Sequence, residues 1–233
     1  MDWRKHFDAV FCLSLADFKE RRARMMKEFD RVGLDPNGIL LWKLTVRNPF
    51  YRYIWTHPAF PAEQWWLDLE GPLNGTMGHY EIMKECLAIG YDRVLICEDD
   101  IRFLKDLGEL ERILEATPEN DICLYDKNAV HVRGEYHNAV RNSRVNYDFI
   151  DYAGVKLLSA ACYSVNRKAM EAITASLERN YAPIDDATNT GELRKVAAIK
   201  NLAVQDMRLK GERMTDIDRI LYDGIADLDE YNL

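Results

Sequence analysis

The sequence predicts an α/β fold: a mainly parallel sheet with helices on both faces. Two observations carry this. Short apolar runs rich in strand formers alternate along the chain with stretches of helical spacing. No internal repeat or low-complexity linker interrupts the alternation. The 233 residues suit one large domain or two small ones, and 48% hydrophobic with 30% charged content is that of a globular protein able to bury a full core.

The elements follow in order. "AVFCLSL" (9–15) reads as a strand. Asp17 is placed to cap the helix "FKERRARMMKEFDRV", and Gly33 to end it. "ILLWKLTV" (39–46) is a second strand. Residues 47–75 break the pattern with four of the seven prolines and a dense aromatic set that includes Trp55, Trp65 and Trp66. A second helix is expected from about Thr76 to Ile89, with Tyr80, Met83 and Leu87 on one face. An apolar run then ends abruptly in Glu98, Asp99 and Asp100. A helix near 106–116, the strand "DICLYD" (121–126), an irregular stretch (127–148) and the strand "LLSAACYSV" (157–165) come next. A helix runs to about Arg179, then come "APIDDATNTGE", a short helix, "NLAVQD" and an acidic tail. The expected division is a domain over 1–211 and a tail over 212–233.

Charge and cysteine usage exclude several classes. Lysine and arginine number 31 against 39 acids, a net −8, which argues against a nucleic-acid-binding surface. No run of about 18 apolar residues is present, so no spanning helix is expected. The start, "MDWRKHFDAV", lacks the apolar core of a signal peptide. Five scattered cysteines without a C-x-x-C pattern read as buried thiols in a reducing compartment, and a cytoplasmic location is expected. The tail from Glu212 to Leu233 carries seven acids and two arginines, net −5, unlike the basic termini that dock on anionic lipid.

The candidate chemistry sits at strand ends, where α/β sheets gather ligands. Three adjacent acids closing an apolar strand repel one another. A solvated turn or a divalent cation would relieve them. In an extended segment Glu98 and Asp100 share a side and Asp99 turns away, a pair suited to Mg²⁺ or Mn²⁺. The cluster "ERRAR" (20–24) is either a solvated helix face or, with Ser14 and the helix N-terminus, a diphosphate site. His79 reads as a packing residue before a catalytic one. The tryptophan pair reads as core or lid before a sugar platform. Asp185 and Asp186 read as solvated unless the fold brings them to the same place.

Three segments, taken together, resemble the family 25 glycosyltransferases, which include lipooligosaccharide galactosyltransferases and collagen-modifying relatives. They are "VFCLSLADFKERRARM", "GPLNGTMGHYEIMKECLAIGYDRVLICEDDIRF" and "LLSAACYSVNRKAMEAI", with "APIDD" after them, in family order over most of 8–206. The resemblance implies a GT-A-type domain that transfers a hexose, galactose or glucose, from a nucleoside-diphosphate sugar such as a UDP-sugar to a glycan hydroxyl with inversion. It implies Mn²⁺ or Mg²⁺ on Glu98 and Asp100, with Asp206 or Asp186 completing the shell. It places Ser14, Leu15, Arg21, Arg22 and Asp99 at the donor and Asp185 as the base, with His79 as the other catalytic candidate. The family's serine before this histidine is Gly78 here, and no histidine follows His137. These departures leave open a non-catalytic sugar-nucleotide-binding or interaction protein of the same fold. A receiver-type phosphotransfer domain also places acids at strand ends, but leaves the arginine cluster unexplained.

Overall fold

Apolar runs become strands here wherever both faces can be covered. The computed structural model describes residues 2–34, 38–46, 70–126, 143–152, 160–179, 182–190 and 192–205. The strands are β1 (Ala9–Leu15), β2 (Leu40–Thr45), β3 (Arg93–Glu98), β4 (Ile101–Phe103), β5 (Ile122–Leu124), β6 (Phe149–Asp151), β7 (Cys162–Asn166), β8 (Lys195–Ala198) and β9 (Ala203–Gln205). The helices are α1 (Lys19–Arg31), α2 (Glu70–Ile89), α3 (Leu107–Glu115), α4 (Arg167–Arg179) and the single turn α5 (Ile184–Ala187).

Seven strands form one sheet in the order β2-β1-β3-β7-β5-β8-β6, and β4 pairs with β9 apart from it. β1 is parallel to both β2 and β3, and β5 is parallel to β8. β7 runs against β3 and β5, and β6 runs against β8. Five strands therefore point one way and two are reversed. The carboxyl ends of β1, β2, β3, β5 and β8 share one edge.

Alternation along each strand builds two cores. Ala9, Phe11 and Leu13 of β1 join Val94 and Ile96 of β3 under α2, α4 and α5. Val10 and Cys12 join Leu95 and Cys97 on the other face, against Met25 and Phe29 of α1 and Leu110 and Ile113 of α3. The expected helices on both faces are present. All five cysteines are buried free thiols. Among the described residues, no helix is long and apolar enough to cross a membrane.

Several local expectations are corrected. α1 is capped at Phe18, not Asp17, with no side-chain cap bond, and Gly33 follows it at φ +67°. α2 begins at Glu70, six residues early. The sequence places 70–75 in the stretch that breaks the pattern, yet Leu73 and Asn74 are buried there as Thr76 and Met77 are beyond it, so packing overrides propensity. The short helix expected before Asn201 is the strand β8: Val196, Ala197 and Ala198 pair with β5 or β6 and are buried. β6 was not expected at all. The aromatic stretch 47–66 and the tail 212–233 lie outside the described residues.

Two contacts decide how the layers fit. At Gly78 an added Cβ would stand 2.4 Å from Leu13 Cδ1 and 3.1 Å from Thr45 Cγ2. At this position, where the resemblance leads one to expect a serine, α2 lies so close to β1 that a side chain meets Leu13. At the opposite edge Asp121 ties three elements. Its Oδ1 accepts from Asn166 at 2.9 Å, and its Oδ2 from Lys168 and the Arg194 N–H at 2.8 Å each. Burial alone would push this carboxyl up; the Lys168 ammonium, the Arg194 N–H and Asn166 outweigh it and hold it below its ordinary 3.8.

Gly78→Ser should destabilise by about 1–3 kcal/mol through overpacking. Leu13→Ala in the same chain should return part of that loss, so the double-mutant cycle by urea unfolding shows coupling; strict additivity would refute the contact. Asp121→Asn should cost about 1–3 kcal/mol at neutral pH. A depressed folded pKa contributes stability above the unfolded value and loses it as pH falls through the folded one. The gap between wild type and variant should therefore close below about pH 3.8, the ordinary value. A gap unchanged from pH 7 to pH 3 would show that the charge of Asp121 is not what the three donors hold.

Candidate functional site

The sheet sorts the acidic triplet between its two faces. Glu98 continues the alternation of Val94 and Ile96 and faces α2. Asp99 follows Leu95 and Cys97 to the side of α1. The chain turns at 99–100 instead of staying extended, so the expected i, i+2 pairing of Glu98 with Asp100 does not apply there. Asp99 and Asp100 instead meet on one guanidinium. Arg21 Nη1 lies 3.0 Å from Asp99 Oδ1 and 3.5 Å from Asp100 Oδ2.

β1 and α1 build the α1 side. Ser14 falls on the same face as Val10 and Cys12, and its hydroxyl donates to Asp99 Oδ2 at 2.5 Å. Arg22 Nη1 donates to the Leu15 carbonyl at 2.5 Å and to Ser14 Oγ at 3.3 Å, and its Nη2 donates to the Ala16 carbonyl at 2.7 Å. Arg22 therefore holds the strand-to-helix connection. Arg24 Nη2 reaches the carbonyls of Asp99 at 3.4 Å and Ile101 at 3.3 Å. Burial pushes the Asp99 carboxyl above its ordinary value, while Ser14 and Arg21 pull it back.

The α2 side is a chain of hydrogen bonds. His79 is completely buried. Its Nε2 faces Glu98 Oε1 at 3.3 Å, and the Tyr163 hydroxyl faces its Nδ1 at 3.0 Å. A carboxylate accepts, so a ring proton lies on Nε2 toward Glu98; in the neutral imidazole Tyr163 is then the donor to Nδ1. Gln205 Nε2 donates to the other Glu98 oxygen at 3.0 Å. Both oxygens of Glu98 are thereby fixed.

α5 docks beside this chain. The Ile184 N–H donates to Thr76 Oγ1 at 3.1 Å, one turn before His79 on α2. Asp185 and Asp186 lie half-buried in the first turn of α5. Burial pushes the Tyr163 phenol well up, and the charges of Glu98 and Asp185 add to the shift. Asp185 thus lies within electrostatic reach of the group that holds His79.

Of the residues singled out in the sequence, Ser14, Leu15, Arg21, Arg22, Asp99 and Asp100 meet on the α1 side. His79 and Glu98 meet on the α2 side with Asp185 close by. Asp206 lies outside the described residues. Arg24, Tyr163 and Gln205 were missed as partners. Arg24 stood inside the quoted arginine cluster, Tyr163 inside the small-residue strand and Gln205 inside "NLAVQD", but nothing local marks their partners. Among the described residues no three His, Cys, Asp or Glu side chains are grouped to hold a metal. The position between Asp99 and Asp100 nonetheless holds a cation, the Arg21 guanidinium, and buried carboxylate oxygens there are the donor type of a hard divalent ion.

No family model matches the chain. The human "inactive glycosyltransferase 25 family member 3" is 32% identical over 122 residues, which is 47% of this chain and 19% of that protein. Its mouse counterpart is 31% identical over 127 residues, with the same shares. The chain thus spans about a fifth of the length of the curated relatives it matches. Similar solved structures include the glycosyltransferase GlyE of Streptococcus pneumoniae, 12% identical with a TM-score of 0.45 over 96% of this chain and 62% of that one. The galactosyltransferase LgtC in complex with donor and acceptor sugar analogues is 11% identical, with a TM-score of 0.39 over 91% of this chain and 83% of that one. By sequence, the curated relatives of this chain are members of the glycosyltransferase 25 family.

Proposed function

We propose that the chain is a GT-A-type glycosyltransferase domain that moves a hexose from a nucleoside-diphosphate sugar to a glycan hydroxyl with inversion. One observation carries this reading. Ser14 at the end of β1 and Arg21 of α1 lie 85 and 78 residues from Asp99 at the acidic end of β3, yet the three are bonded into one cluster at the carboxyl edge of the sheet. That edge is where an α/β sheet binds a nucleotide.

Asp99 and Asp100 would hold Mn²⁺ or Mg²⁺, with Asp206, next in the chain to Gln205, as a further oxygen ligand, while Glu98 stays on the other face with His79 and Gln205. Such an ion supplies charge neutralisation for the diphosphate that leaves. Arg21 and the β1 end, Ser14 and Leu15, bind the donor; Arg22 keeps that end in place. In the transfer, the acceptor oxygen bonds to the anomeric carbon. The bond from that carbon to the phosphate oxygen breaks, and its electron pair leaves with the nucleoside diphosphate. Asp185 accepts the hydroxyl proton. His79, buried and bonded on both nitrogens, orients Glu98 and does not touch substrate. A UDP-sugar is the donor that the family resemblance favours.

A second reading has its own support: a sugar-nucleotide-binding domain without transfer. The matched relatives are named inactive, and Arg21 already neutralises Asp99 and Asp100. Hydrolysis of UDP-galactose or UDP-glucose by the purified protein with Mn²⁺ separates the two.

Two substitutions test the roles. Asp100→Asn should keep the fold and abolish Mn²⁺-dependent binding of the UDP-sugar in calorimetry. Affinity equal to wild type would remove Asp100 from the metal site. Asp185→Asn should bind donor and metal like wild type yet transfer roughly a hundredfold or more slowly. Transfer at the wild-type rate would remove it from the mechanism.

A further inference from the structure

The three arginines at the start of α1 are bonded to different kinds of group. Arg22 donates to the carbonyls of Leu15 and Ala16, and Arg24 to those of Asp99 and Ile101. Both support main chain that the fold cannot do without. Arg21 grips carboxylates. Asp99 and Asp100 are only 5% and 6% exposed, whereas the Arg21 side chain keeps 20% of its surface open. Its guanidinium also lies 4.5 Å from the centroid of the Phe18 ring, an aromatic face at the mouth of the turn.

Two neighbouring carboxylates buried in one turn need a positive charge. A guanidinium and a divalent ion cannot both stand between them, because like charges a few ångströms apart repel strongly where water is excluded. A freed guanidinium at the edge of the site is in turn a two-pronged donor suited to phosphate oxygens.

We propose that Arg21 is the resident counter-ion of the acidic turn. A divalent cation entering between Asp99 and Asp100 displaces it, and the released guanidinium binds the diphosphate of a nucleoside-diphosphate ligand. This rests on the reading above that the turn takes a divalent cation with the donor. It adds an exchange: metal and Arg21 compete for the same oxygens, and metal binding arms the phosphate contact.

The test uses the whole chain, Mn²⁺ alone and then UDP with Mn²⁺. Free Mn²⁺ is followed by electron paramagnetic resonance. Arg21→Met should take up Mn²⁺ about tenfold or more tightly than wild type, since the competitor is gone. With Mn²⁺ saturating, UDP should bind the variant about ten- to hundredfold more weakly. Without metal the variant should melt below wild type, and added Mn²⁺ should close that gap. A merely structural Arg21 would leave the gap unchanged. If Arg21→Met does not fold, Arg21→Lys keeps the charge without the fork and should show the same tightening by a smaller factor. Wild type and variant binding Mn²⁺ equally would overturn the exchange and leave the metal reading standing. No Mn²⁺ bound by either chain, with or without UDP, would overturn both.

Discussion

The acidic end of β3 can be buried because one stripe of α1 is laid against it. Arg21, Arg24, Glu28 and Arg31 follow each other at helical spacing, so they form a single row. Arg21 meets the carboxylates of Asp99 and Asp100. Arg24 meets the carbonyls of Asp99 and Ile101. Glu28 accepts the Phe103 N–H at 2.6 Å, and Arg31 donates to the Phe103 carbonyl at 2.6 Å and to Lys105 at 3.5 Å. The row serves the segment from 99 to 105 much as a neighbouring strand would, with side chains in place of main chain. Met25 and Phe29, fully buried on the same helix, hold the row at its distance from the sheet. The acidic turn cannot shift without unseating α1.

The sheet itself keeps the three acids from acting as one cluster. Consecutive residues leave a strand on opposite faces, so Glu98 and Asp99 are separated by the backbone that carries them. Each then finds its own partners. Glu98 has His79 and Gln205; Asp99 has Ser14 and Arg21. The two sides differ in kind. The α1 side holds its acids with the charge of a guanidinium. The α2 side is a hydrogen-bonded chain from Tyr163 through His79 to Glu98, built around a fully buried histidine.

α2 approaches β1 so closely at Gly78 that a side chain there would meet Leu13, one residue before the hydrogen-bonded His79.

The sequence by itself determined the alternation of strands and helices, the helices on both faces and the placement of acids and arginines at strand ends. Those are consequences of burial within single elements, and burial leaves a period of two or of about three and a half that can be read locally. Tertiary structure decided the rest. Alternation does not say which way a strand runs, so the reversal of β7 and the parallel entry of β8 depended on pairing with distant partners. "KVAAI" contains helix formers, yet the open edges of β5 and β6 made it a strand. The turn at Asp99 and Asp100 overrode the extended geometry that would have paired Glu98 with Asp100. His79 was legible as a packing residue, but its role was not, because Tyr163 is 84 residues away in sequence and Gln205 is 107 residues from the Glu98 it shares. Side-chain hydrogen bonds at such separations leave no periodic trace in the chain, and only the folded sheet brings their partners within reach.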